Sequence, residues 1–160
     1  MVFNDVRVPA HCLVGPENRG FLVVMNSFDY NRVLIALTCL AGAEQSLADT
    51  LEYVKERKAF GKALAKFEGV SFPLAEAATL IEAALILCYK ALWLRDRNMP
   101  HTKEAAMTKW WVPKISVEII HQCLLLHGHY GYTEEFPLEQ RLRDAIGYEI
   151  GDGTAEIQKV

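Results

Sequence analysis

Residues 33–54 read VLIALTCLAGAEQSLADTLEYV, and the spacing of their apolar positions decides the fold class. Val33, Leu37, Leu40, Leu47, Leu51 and Val54 follow one another at intervals of 4, 3, 7, 4 and 3 residues. Those intervals line up one stripe along an α-helix, whereas neighbours on one face of a strand lie two residues apart. The helical period begins near Asn18 and predicts a first helix of about 28 residues.

Working outward, the same period recurs twice. Leu74, Ala78, Ile81, Leu85, Cys88 and Leu92 form a second stripe after a break at Gly69 to Pro73. Trp111, Ile115, Ile119, Gln122 and Leu126 mark a third, with Pro113 inside it removing one backbone donor and predicting a kink. Shorter helical material covers roughly 137–148, and TAEIQKV at 154–160 opens another helix. The connections GKALAKFEG, RNMPHT and GYTEEF are brief, so successive helices should pack antiparallel. The fold class read from spacing is all-α, an up-down helical bundle. One strand-like segment precedes it: VFNDVRVP, residues 2–9, alternates apolar and polar and closes on Pro9. No second strand is evident, so the segment either pairs with material outside this chain or lies as an ordered tail.

Composition excludes several classes. In 160 residues, 51% hydrophobic content is enough for a core, and 17 basic against 20 acidic residues give a net charge of -3. That balance argues against nucleic-acid binding and against a polybasic membrane anchor. Cys12, Cys39, Cys88 and Cys123 form no C-x-x-C pair, and no leader pattern opens the chain, so free thiols in the cytoplasm, or in the mitochondrial matrix of a eukaryote, are expected. Asp29, Arg32, Glu52, Glu82 and Lys114 interrupt the apolar runs, and none is expected to reach the ~20 residues of a membrane span.

Three stretches carry chemistry. In GDGTAEIQKV, 151–160, Asp152 stands between two glycines, either as an acid held out on a tight turn or as an acidic helix cap. In ERKAFGKALAKFE, 56–68, Arg57, Lys58, Lys62 and Lys66 surround Phe60 and Gly61. This is a solvated helix end complementing the macrodipole, or a diphosphate site with a flat ring beside it. In the third, His121, Cys123, His127 and His129 around HGHYGY, 127–132, are an incomplete ligand set, and no metal site is expected. Gly128 and Gly131 there are read as ending a helix and letting backbone come close to a neighbour or ligand.

Taken in order, VFNDVRVP, VGPENRGF, FDYNR, ERKAFGKALAKFEGV, HGHYGY, EEFPLEQRLRDA and IGDGTAEIQK resemble the C-terminal portion of the acyl-CoA dehydrogenase family across essentially the whole chain. The resemblance implies that residues 1–17 are the end of a preceding β domain and a linker, that 18–160 are the C-terminal helical-bundle domain, an up-down four-helix bundle with short extra helices, and that the domain alone is inactive. It implies FAD as cofactor and flavin-dependent α,β-dehydrogenation of an acyl-CoA thioester. The expected partners are electron-transfer flavoprotein as electron acceptor and a homodimer or homotetramer. By the same resemblance, Asp152 matches the catalytic base, usually a glutamate, with an arm shorter by about 1.5 Å. Asn31 stands where some members place that base instead. Asp29, Arg32 and Gly153 are expected at the substrate. Arg57 and Phe60, supported by Leu64, should reach the FAD of a neighbouring subunit, Gly128 should lie along FAD, and Thr154 and Glu156 should meet its diphosphate and adenosine. Leu125 and Glu68 occupy positions where glutamine is common. Two other readings stay open: a nitroalkane oxidase-like or other flavin enzyme on this scaffold, and a non-catalytic helical assembly domain.

Overall fold

The computed structural model describes residues 1–160. Four helices form the bundle: α1 (Gly20–Glu56), α2 (Glu68–Asp96), α3 (Thr102–His127) and α5 (Leu138–Ile150), with the one-turn helices α4 (His129–Tyr132) and α6 (Ala155–Gln158) beside them. The all-α bundle expected from the spacing is the observed architecture. Side-chain contacts between helices give their directions. Thr102 Oγ1 donates to Asp29 Oδ2 at 2.6 Å where α1 and α3 begin, and Tyr53 stacks on His127 at 4.2 Å where both end, so these helices run parallel. Arg141 at the start of α5 reaches Asp49 near the end of α1, so α5 runs against them.

Although α1 and α3 are not consecutive, they make the most extensive contact in the molecule. Small side chains are the reason. The buried face of α1 includes Ala36, Ala43, Ser46 and Thr50, and that of α3 Ala105, Thr108, Val112 and Ser116, all fully buried. Gly42 of α1 lies under the Ile120 side chain of α3. Ser46, Thr50 and Thr108 return their hydroxyl protons to carbonyls of their own helices, those of Gly42, Ser46 and Ala105, so the seam buries hydroxyls without leaving those donors unmet.

The second stripe is rotated from its expected line. Leu74, Ala77, Ile81, Ala84, Cys88, Ala91 and Leu94 are buried, whereas Ala78 is exposed and Leu85 and Leu92 are half-buried. The alanines at every seventh position let α2 sit close to its neighbours, a preference that a count of large apolar residues misses. The expected break at Gly69 to Pro73 does not occur, because α2 starts at Glu68 and runs through Pro73. Pro73 removes the donor to the carbonyl of Gly69, an exposed residue where water can supply it. In α3, Ile115 and Ile119 are buried as expected, but Trp111, Gln122 and Leu126 are only half-buried. Likewise α1 extends to 37 residues, beyond the expected length.

Residues 2–9 form no strand within the chain, and Val2, Phe3, Val6 and Val8 are exposed, since nothing in the chain pairs with their backbone, in keeping with the two alternatives of an outside partner or a tail. The one pair of strands, β1 (Lys58–Ala59) and β2 (Lys62–Ala63), instead makes a hairpin in the α1–α2 connection. Moreover, α2 is long and apolar enough to pass as a membrane span by composition, with a mean hydropathy of 1.7 over 18 residues, of which 22% are buried. Glu82 does not offset the surrounding residues, and Phe72, Ile86, Tyr89 and Trp93 lie exposed on the helix. All four cysteines are free, and burial pushes the Cys39 thiol up to about 11 and that of Cys88 to about 12, which makes both inert packing residues.

Candidate functional site

Between α5 and α6 the chain reverses through two consecutive residues in the left-handed region, Asp152 at φ +55° and Gly153 at φ +102°. Aspartate is one of the few side chains that adopts this region readily. Position 153 favours glycine by its φ, and a Cβ there would lie 2.5 Å from Gln158 Nε2 and displace that amide. That amide donates to the Asp152 carbonyl at 3.3 Å, and the Thr154 carbonyl accepts the Gln158 backbone N–H at 3.1 Å. The expectation of an acid held out on a bent backbone describes this turn, and Asp152 is exposed on it.

From inside the bundle the turn is held by Lys109, a residue the sequence reading passed over. Its side chain is 1% exposed, and Nζ donates to the carbonyl oxygens of Tyr148 at 2.9 Å and Gly153 at 3.0 Å. The Tyr148 carbonyl belongs to the last turn of α5, where helix carbonyls lack intrahelical donors and a cation is favourable. Burial lowers the Lys109 pKa from its ordinary 10.5, and the carboxylates of Asp152 and Glu149 oppose that fall while Arg32 adds to it. A signal was present: Ala105, Lys109, Val112 and Ser116 follow at 4, 3 and 4, which places the lysine on the buried face.

Asp152 lines a groove of about 490 Å³ together with Ile35, Arg143, Asp144, Gly147, Tyr148 and Gly151. At the same end, Arg32 donates from Nη1 to Asp29 Oδ1 at 3.0 Å, while Thr102 binds the other oxygen. The two bonds fix the Asp29 carboxylate, which in turn orients the Arg32 guanidinium, and Arg32 Nε is buried with no partner. Beside them opens a polar hollow of about 630 Å³ lined by Asn26, Asp29, Arg95, Asn98, His101 and Thr102 among others. Asn31 is exposed. Glu156, in the first turn of α6, has its carboxyl held below the usual range by its own backbone N–H and by the Thr154 hydroxyl, in keeping with an acid near a helix start.

The remaining expected residues lie at the opposite end. Residues 32 to 57 follow a continuous helix, which sets Arg57 about 37 Å along the axis from Arg32. The hairpin tip turns through Phe60 at φ +51° and Gly61 at φ +81°, and Phe60 is 97% exposed. Lys62 rests over the Phe67 ring at 4.1 Å, and none of Arg57, Lys58, Lys62 and Lys66 has a carboxylate within 4 Å. Leu64 is half-buried and packs on the core from the hairpin side. Gly128, at φ +61°, ends α3 and meets nothing within 4 Å of where a Cβ would stand. Leu125 and Glu68 are exposed. The four candidate metal ligands diverge: Cys123 and His127 point into the core, the latter bonding the Cys123 carbonyl through Nδ1 at 2.9 Å, while His121 and His129 face solvent.

The structure thus brings Asp29, Arg32, Asp152, Gly153, Thr154 and Glu156 to one end, and Arg57, Phe60, Leu64 and Gly128 to the other. The first set offers a carboxylate facing a groove, and the second offers unpaired cations with an exposed ring.

Residues 18–160 match the family described as "Acyl-CoA dehydrogenase, C-terminal domain". A short-chain-specific acyl-CoA dehydrogenase from Clostridium acetobutylicum is 38% identical over 160 residues, which are 100% of this chain and 42% of the relative. A caffeyl-CoA reductase-Etf complex subunit from Acetobacterium woodii is 36% identical over the same length, again 42% of the relative. Among solved structures, butyryl-CoA dehydrogenase from Megasphaera elsdenii superposes with a TM-score of 0.95 at 40% identity, over 99% of this chain and 41% of that one. The chain spans about two fifths of the length of these proteins.

Proposed function

Because the chain belongs to the acyl-CoA dehydrogenase family, we propose that it serves as the bundle domain of an enzyme that removes the α and β hydrogens of an acyl-CoA thioester. The observation that carries this reading is Asp152, an acid presented by a left-handed turn to a groove, with its backbone held on two sides. An α proton beside a thioester is weakly acidic, so the acceptor must be fixed and desolvated when substrate fills the groove. Asp152 accepts that proton, Arg32, oriented by Asp29, holds polar groups of the CoA portion, and the Gly153 backbone lies against the thioester.

The family is one of flavoproteins. FAD, when bound, takes up the β hydrogen as hydride. The residues present fit such a group: Arg57 and its neighbouring lysines are unpaired donors for a diphosphate, Phe60 is a free ring, Gly128 leaves open space along its backbone, and Gln158 Oε1 is a buried acceptor with no partner. Leu64 supports the hairpin from beneath. At the Asp152 end, Thr154 and Glu156 would meet the diphosphate and adenosine of FAD.

One FAD cannot contact both ends of one bundle across about 37 Å of helix. A second copy is therefore part of the proposal, its hairpin completing the flavin site of the first, as a homodimer or a homotetramer. Such packing also covers the apolar outer face of α2 with protein rather than lipid. Electron-transfer flavoprotein is the proposed acceptor of the electrons, in the cytoplasm or the mitochondrial matrix. Residues 1–17 are proposed as the linker from a preceding β domain, and the domain alone as inactive.

Anaerobic titration of the full-length protein with acyl-CoA thioesters, beginning with butyryl-CoA, tests this. Loss of the yellow flavin absorbance on mixing is expected, and a flavin that no acyl-CoA bleaches would refute the proposal.

A further inference from the structure

We propose that Lys109 is a positioning residue for Asp152, setting the place of the carboxylate by holding, from inside the bundle, the backbone that carries it. This rests on Asp152 being the proton acceptor. The starting observation is a cost: an ammonium 1% exposed in a bundle core must recover its lost hydration from fixed partners. The partners are the carbonyls of Tyr148 and Gly153, which bracket Asp152 in the chain. Neither carbonyl takes part in the backbone bonds outside the helices, so the lysine supplies donors that the reversal itself does not.

The geometry makes the grip directional. Gln158 holds the Asp152 carbonyl from α6, Lys109 holds Gly153 and the end of α5 from α3, and the acid stands between these fixed points. An aspartate has one rotor fewer than a glutamate, so its carboxylate can compensate less for a displaced backbone. Position of the turn therefore becomes position of the base. A misplacement of about 1 Å costs on the order of 100-fold in rate where reacting atoms must align. The charged groups facing Lys109 are Asp152 and Glu149 on the turn side and Arg32 on α1, with the Cys39 thiol beside it.

The test uses the full-length protein with Lys109→Met and Lys109→Arg, and Asp152→Asn as reference. In Lys109→Met, amides across 148–154 should exchange with deuterium at least ~10-fold faster, and kcat should fall about 100-fold while KM for butyryl-CoA stays within ~3-fold. Lys109→Arg, which keeps the charge and two or more donors, should restore the slow exchange and bring kcat back to within about 10-fold of the parent. On the alkaline side the parent should lose kcat as the buried ammonium gives up its proton, and Lys109→Arg should not. Unchanged exchange in Lys109→Met, a defect confined to KM, or identical alkaline profiles for parent and Lys109→Arg would each overturn the proposal. If Lys109→Met does not fold, the exchange and pH comparison of Lys109→Arg with the parent decides. Full turnover by Asp152→Asn would remove Asp152 as proton acceptor, while the exchange experiment would still judge the grip on the turn separately.

Discussion

Where α5 turns into α6, Lys109 is buried and its ammonium donates to two carbonyls, whereas at the other end of the bundle, on and beside the hairpin, Arg57, Lys58, Lys62 and Lys66 stand exposed with no carboxylate near them. A charge inside a bundle must be matched by the chain's own groups, and so becomes architecture. Cations left unmatched around a left-handed, exposed phenylalanine contribute little to the fold and are available to something outside it. The two glycine turns repeat the contrast: Gly153 is crowded by Gln158, and Gly61 has open space around it.

The sharpest way to break this division is Asp152→Asn in the full-length protein. Turnover should fall at least ~100-fold with flavin content unchanged, measured by steady-state rate and absorbance, because the amide removes the base and leaves the turn. Next in size is a pair of alanines. Gly153→Ala combines left-handed strain with a collision against Gln158 and should cost about 2–3 kcal/mol in urea unfolding, whereas Gly61→Ala, with strain alone, should cost about 1 kcal/mol. Equal costs would show that the two turns are not held differently.

Smaller still is the effect of the unmatched hairpin groups. Arg57→Ala or Phe60→Ala should leave the melting temperature nearly unchanged while FAD dissociates about 10-fold more readily from the full-length protein. The smallest expected effect concerns a cation near the hairpin end that did find a partner. Burial by itself would raise the Asp49 carboxyl, but hydrogen bonds from Arg141 and Gln45 hold it below its ordinary 3.8. The unfolded chain then takes up the proton first on acidification, so the stabilisation is complete above that ordinary value and is lost as pH falls through the lower folded one. Asp49→Asn should flatten that acid limb, by about 0.5 kcal/mol since the pair is screened by solvent, as read from melting temperature against pH.

Much of this was legible in the sequence. Spacings of three and four residues identified the helices, and glycines on both sides of Asp152 identified the turn, because both signals are local. What escaped was non-local. Ala77, Ala84 and Ala91 form the α2 seam because small residues admit a neighbouring backbone, and only the presence of that neighbour distinguishes them from Ala78. Spacing places Lys109 on the buried face, but its partners are carbonyls 39 and 44 residues along the chain, and only folding brings them to its ammonium. Residues 2–9 show the converse, an alternating pattern that finds no partner within the chain to complete its bonds.

By itself the sequence determined a helical bundle, its turns and the presence of an acid on a bend, since those follow from periodicity and from the backbone freedom of glycine and aspartate. Only the tertiary structure decided that α1 and α3 make the most extensive contact, that the candidate residues divide between two distant ends, and that a buried lysine holds the backbone of the turn. Each of these depends on which surfaces meet, and packing across the bundle joins residues that the order along the chain keeps apart.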